Sequence, residues 1–258
     1  MGKVAMKVKL YNKGKYGYGI PVQINGITYK FLLDTGCEKS IIFSSKANNW
    51  HMHKVQYNIT DSSGHKTELS NAIMVDNVKI GSTKIDSIEL LVINNMIKGF
   101  KNRFVGILGM DILGKLNYKI SFVEQYLDIL SYSNGNIEHA LVDVNGIKTK
   151  AIFDTGSNFS WIANNALFEK NRYRKKFVIQ YSINRVCVKR KKVYQQLVLK
   201  GNDFKSDSCS ILEGREVLRN GEYIDLVIGL DILKNMKLEY KNGRWTLERT
   251  DSNHGNNL

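Results

Sequence analysis

Apolar and polar positions alternate in short runs along most of this chain, which is the signature of strands with one buried face. In residues 18–33 two apolar-rich stretches flank Asn25-Gly26. That dipeptide readily takes two successive positive φ values, so the segment predicts a β-hairpin. Residues 142–153 repeat the pattern around Asn145-Gly146. Residues 73–80 and 85–93 predict two further strands, parted by Gly81-Ser82. Residues 110–116 and 230–236 each follow a glycine and predict short helices. No run approaches the ~18 consecutive apolar residues of a membrane-spanning helix.

The predicted elements recur at a fixed interval. Shifted by 120 residues, Ile24-Asn25-Gly26-Ile27 lies over Val144-Asn145-Gly146-Ile147, and Lys30 over Lys150. Asp34-Thr35-Gly36 lies over Asp154-Thr155-Gly156, Gly109 over Gly229, and Ile112-Leu113 over Ile232-Leu233. The distance from Asp34 to Asp111 equals that from Asp154 to Asp231, 111 − 34 = 231 − 154 = 77 residues. A constant offset over so much of the chain points to one structural unit present twice. The expected division is an N-terminal lobe at 1–132, a polar linker at 133–136, a C-terminal lobe at 137–250 and a disordered tail at 251–258. Two β-rich halves with one short helix apiece make an all-β, bilobal protein.

Composition narrows the class only a little. Hydrophobic residues at 43% and charged residues at 24% are ordinary for a folded soluble chain. Three cysteines argue against a full disulfide framework and for a reducing compartment; a Cys187–Cys209 bridge is the disfavoured alternative. The first ten residues lack the apolar core of a secretory signal. Asn158-Phe159-Ser160 is a glycosylation triplet just past Asp154, where a glycan would crowd the chain, so a cytoplasmic location is expected.

The net charge of +14 is concentrated at 169–200, where eleven Lys or Arg face one acidic residue. Such a window can attract nucleic acid. Without a nucleic-acid motif, a solvated basic face is the preferred reading, and nucleic acid is not the favoured partner.

The chemistry lies in the paired triplets. A lone Asp-Thr-Gly is a turn with an Asx contact. Two of them in register can bring Asp34 and Asp154 together at a seam between the halves. Thr35 and Thr155 can lock the two loops across that seam, while Gly36 and Gly156 allow tight turns and close approach. Two adjacent carboxyls cannot easily both ionise, so they share a proton. One can then accept a proton from water while the other donates to a carbonyl oxygen, which requires no metal, cofactor or covalent intermediate.

With these motifs the chain resembles the aspartic proteases of the retroviral and pepsin type, in single-chain form, over both repeats. The resemblance implies an acid-protease fold with Asp34 and Asp154 as the catalytic pair, ~3 Å apart. It implies an aspartic endopeptidase that cleaves protein or peptide substrates bound in extended form, acts as a monomer and uses no cofactor. A peptide-binding module with weak or no catalysis is the alternative.

The family usually carries Ser, Thr or Ala after the Gly. Ser157 conforms and Cys37 departs, and a weaker side-chain donor at Cys37 would make the two aspartates inequivalent. Each half should carry a hairpin flap, with Ser63 and Gly64 at one tip and Ile183 and Asn184 at the other; this two-flap plan is the retroviral one. Trp161, seven residues past Asp154, is instead a pepsin-like placement. Asp111 and Asp231 read as helix N-caps, His51 and His53 as surface residues, and the N-terminus as a strand of the sheet joining the halves.

Overall fold

The computed structural model describes residues 6–60, 66–94, 98–133, 135, 137–163, 173–181, 186–201, 204–219 and 221–249. The Asn-Gly hairpins form as their sequence dictates. Asn25 and Gly26 take φ values of 49° and 85°, and Asn145 and Gly146 take 52° and 90°. Each turn joins two antiparallel strands, Tyr18–Ile24 with Ile27–Leu33 and Ala140–Val144 with Ile147–Phe153.

Each hairpin opens a larger sheet. In the first half, Ile27–Leu33 pairs in parallel with Gly106–Leu108, followed across the sheet by Ile41–Phe43, Thr83–Ile93, Lys66–Ile80 and Met52–Thr60. In the second half, Ile147–Phe153 pairs in parallel with Leu226–Ile228, followed by Trp161–Ile162, Lys205–Glu213, Val186–Lys200 and Tyr173–Tyr181. The two sheets therefore have the same strand order. The architecture is all-β with the acid-protease arrangement, and the α-helices among the described residues are single turns.

The predicted helices are shorter than their sequence pattern suggests, Met110–Leu113 and Leu230–Leu233. The chain leaves each of them to enter a strand of a third sheet, Leu116–Ser121 or Met236–Lys241. The strand Lys66–Ile80 is longer than its predicted core, because it runs out into a hairpin with Met52–Thr60.

The third sheet is built by both halves. Its order is Met6–Lys9, Tyr126–Tyr132, Leu116–Ser121, Met236–Lys241, Arg244–Arg249. At its centre Tyr118 lies opposite Tyr240, Lys119 opposite Glu239 and Ile120 opposite Leu238. Lys119 and Glu239 are 239 − 119 = 120 residues apart, so the pairing maps onto itself under the shift, as in the self-complementary contact of a two-fold dimer. Tyr118 and Tyr240 stack there with ring centroids 5.4 Å apart, both wholly buried. One continuous hydrophobic core runs from Val8 and Ile20 in the first half to Leu226 and Leu247 in the second. As expected of the N-terminus, Met6–Lys9 joins this sheet.

Candidate active site

Asp34 and Asp154 follow directly from the parallel strand pairs. Asp34 N–H donates to Leu108 O at 3.1 Å and Asp154 N–H to Ile228 O at 2.9 Å, so each loop begins where its own half-sheet ends. The two loops then lock across the seam. Thr35 N–H donates to Thr155 Oγ1 at 3.1 Å, and Thr155 N–H to Thr35 Oγ1 at 3.1 Å. Thr35 Oγ1–H donates onward to Phe153 O at 2.5 Å, and Thr155 Oγ1–H to Leu33 O at 2.7 Å. Both threonines are buried, so each bond is made away from competing water.

The lock sets the Asp154 carboxyl against Gly36 and the Asp34 carboxyl against Gly156, so the two carboxyls face each other across the seam. The glycines make this approach possible. A methyl group on Gly36 would overlap the Asp154 carboxyl carbon, and one on Gly156 would overlap that of Asp34. Asp34 Oδ1 accepts the N–H groups of Gly36 and Cys37 at 2.9 and 3.0 Å. Asp154 Oδ1 accepts those of Gly156 and Ser157 at 2.8 and 3.0 Å. Both aspartates keep intermediate solvent exposure, so water can reach the pair.

The electrostatics of the pair are unequal. Burial, then the neighbouring charge and hydrogen bond of Asp154, hold the Asp34 carboxyl well above the usual carboxylate range. Burial raises Asp154 as well. Against that act the N–H of Gly156, the hydrogen bond from Asp34, the positive charge of Arg219 and the N–H of Ser157. Two carboxyls held this close cannot both ionise easily, so the pair holds one proton between them.

The expected source of inequivalence at positions 37 and 157 does not operate. Ser157 Oγ–H donates to Phe159 O at 2.8 Å and Cys37 Sγ–H to Lys39 O at 3.0 Å. Neither side chain bonds a carboxylate; the backbone N–H of each does, which is indifferent to the side chain. Burial, then the charge of Asp34, pushes the Cys37 thiol well up, so it stays protonated.

Arg219 is the residue that sequence reasoning missed. It is only 3% exposed, and its Nη1 donates to the carbonyls of Thr35 and Gly36 at 3.2 Å each. A second-half guanidinium thus caps the first-half loop. Its counterpart under the 120-residue shift is Gly99, so the repeat gives no hint of it. An arginine near the end of Val217–Arg219 carries no motif, and nothing in its neighbours marks it as buried.

Asp111 and Asp231 are not N-caps; Gly109 and Gly229 occupy those positions. Their carboxylates instead fasten the loops from behind. Asp111 accepts Ser40 Oγ–H at 2.6 Å while Gly109 N–H donates to Ser40 Oγ at 2.9 Å. Asp231, Ser160 and Gly229 repeat this at 2.7 and 2.9 Å. The same Ser–Asp clasp on each side holds the aspartate loop against the short helix.

The proposed flap tips Ser63, Gly64, Ile183 and Asn184 lie outside the described residues, although the hairpin strands leading to them are paired in both halves. Trp161 is buried in a small cluster with Ile152, Leu212 and Val227. His53 contacts Glu89 at 2.9 Å. Cys209 Sγ–H donates to Ser206 Oγ at 3.1 Å, and the Cys187 side chain of the disfavoured bridge lies outside the described residues. Within the basic window, Lys191 Nζ donates to Glu213 O at 3.1 Å and Lys192 lies 3.5 Å from the Glu213 carboxylate. No described helix is long and apolar enough to cross a membrane.

Residues 20–112 match a protein-family model described as aspartyl protease. The match contains Asp34-Thr35-Gly36 and the Ser40–Asp111 clasp, and it ends before the second repeat begins. It supports an aspartyl protease family, and with it peptidase activity, for this chain. No curated protein matches the sequence.

Proposed function

We propose that the protein is a single-chain aspartic endopeptidase that hydrolyses peptide bonds in extended protein segments through a water molecule activated between Asp34 and Asp154. The observation that carries this reading is the face-to-face placement of the two carboxyls, each against the glycine of the opposite loop and held by reciprocal Thr35–Thr155 bonds. Two acids that share one proton, open to solvent and fixed by a rigid seam, form a general acid–base pair.

The charge distribution supports a division of roles. Asp154, whose ionised form the Arg219 charge favours, takes a proton from water as the oxygen attacks the peptide carbonyl. Asp34 gives its proton to the carbonyl oxygen, forming a neutral gem-diol. On collapse Asp34 recovers a proton from a gem-diol hydroxyl, Asp154 passes the water-derived proton to the leaving amine, and the C–N bond breaks. The pair returns to its starting state without an external acid or base.

We further read the two halves as an internal duplication, with lobes at 1–132 and 137–250 forming one monomeric, retroviral-like enzyme of the cytoplasm. The matching strand order and the self-mapping central strand pair support that reading. The test is digestion of a mixed peptide library between about pH 4 and 7 beside Asp34→Asn and Asp154→Asn. Cleavage that both substitutions abolish supports the enzyme. Intact peptides throughout, with peptide binding retained, would sink it.

A further inference from the structure

Among the described residues, the five-stranded sheet carries an added strand beside its first-half hairpin and none beside its second-half hairpin. In the first half, Met6–Lys9 pairs with the outer edge of Tyr126–Tyr132 in the register Val8↔Leu127 and Lys7↔Asp128, and Leu10 N–H continues to Gln125 O at 2.8 Å. Val8 and Leu10 are buried while Lys7 and Lys9 are exposed, an alternation that fits one apolar and one wet face. Gly81 permits the fit, because a methyl group there would overlap Met6 and crowd Val8.

The 120-residue shift carries this arrangement onto the second half, onto Arg244–Arg249 with Gly201 in the place of Gly81. Among the described residues no strand pairs with the outer edge of Arg244–Arg249. A pocket of about 290 Å³ lies along it, lined both by apolar residues, among them Val142, Phe204 and Leu247, and by the charged Glu138 and Arg244. Val142, Gly201 and Leu247 are the counterparts of Val22, Gly81 and Leu127, which belong to the region that Met6–Leu10 covers. Leu141 is 62% exposed on its rim.

We propose that this groove is a strand-docking site that takes an extended segment of a partner protein by antiparallel β-addition to Arg244–Arg249. Open strand edges with an adjoining pocket bind peptides in this way, the backbone giving affinity and alternate side chains specificity. The filled groove specifies the occupant of the open one. A Val-sized residue lies opposite Leu247 and faces Gly201, as Val8 faces Gly81. Opposite Glu248, the counterpart of Asp128, stands a basic residue, as Lys7 stands opposite Asp128. The position matching Met6 must be small, because the Phe204 ring already occupies the space beside Gly201 that Met6 occupies beside Gly81. The inference does not depend on peptidase activity.

The probe is a fluorescent peptide with this chain's own residues 6–10 and Met6→Ala, titrated into the full chain by anisotropy, with backbone amide shifts read in parallel. Saturable binding is expected, with shifts on 244–249. Val8→Asp in the peptide should abolish it. The exposed Glu248→Lys in the protein should weaken it about two- to fivefold, and Lys7→Glu in the peptide should then restore it. Absent binding, indifference to Val8→Asp, or shifts confined to 126–129 would overturn the proposal. Self-association through 244–249 without peptide would also overturn it, in favour of a second copy as occupant.

Discussion

Tyr57 and Phe177 occupy equivalent places on the two long hairpins, yet their surroundings differ. Tyr57 is half-buried against the first-half satellite core, and its hydroxyl donates to Glu38 at 3.2 Å. Phe177 is 70% exposed, as Ile179 and Val188 beside it are also largely exposed. Backbone register accounts for part of this. Tyr57 pairs with Leu69 after an irregularity between Lys54 and Tyr57, whereas Phe177 pairs with Arg190, one residue beyond the shifted partner. A slip of one residue along a strand carries its side chains to the opposite face. The seam tolerates no such drift. A displaced Thr35 or Thr155 would lose bonds on both loops at once, so the two halves agree at the dyad and differ at the hairpins.

The comparison is broken most severely at the dyad itself. Asp34→Asn and Asp154→Asn should each lower peptide cleavage by at least about 10²–10⁴-fold, measured as kcat/KM on a peptide substrate. Equal residual activity in one of them would mean that the two halves do not act as a pair.

Arg219→Met comes next, because it removes a buried charge at the seam that has no counterpart at Gly99 in the first half. The carbonyls of Thr35 and Gly36 lose a charged donor, so stability should fall by about 1.5–3 kcal/mol in denaturant unfolding. The distinguishing readout is the pH profile. Arg219 lowers Asp154, so its removal should move the acidic limb of kcat/KM to higher pH, an effect that simple loosening of the fold would not give. Arg219→Lys should recover part of that shift.

Thr155→Ala and Thr35→Ala should each destabilise by about 1–3 kcal/mol, since each strands buried partners on the opposite loop. The two losses should be nearly equal, and a large difference would show that the seam is less symmetric than its bonds.

Stability against pH sharpens the same point. Both aspartates hold their proton more tightly in the folded chain than in the unfolded one. That contribution is complete below the unfolded carboxylate pKa of about 4 and is lost as pH rises through the higher folded values. The fall in Tm between about pH 4 and 7 should therefore be smaller in Asp34→Asn than in the unsubstituted protein.

The smallest effect is expected from Cys37→Ser. The side chain at 37 donates to a backbone carbonyl, as Ser157 does, so stability should change by no more than about 0.5 kcal/mol. Activity should follow suit. Reaction of Cys37 with iodoacetamide at mildly alkaline pH should be slower than that of an unhindered thiol, because the thiolate is disfavoured.

The chain's own pattern determined a good deal. The Asn-Gly turns, the alternating strands beside them and the Asp-Thr-Gly loops are local features, fixed by φ preference and period-two burial within a few residues. Their recurrence at one offset was enough to place Asp34 opposite Asp154. Tertiary structure alone decided the rest. The short helices stop after one turn because the chain must enter the shared sheet, and Asp111 and Asp231 reach back to serines 71 residues away instead of capping. Arg219 acquires its role only when the halves close over it. Among the described residues, one sheet edge is covered by Met6–Lys9 and its twin is not. These outcomes depend on partners distant in sequence, whose burial and charge enter the energy only once the chain is folded, and so no local pattern records them.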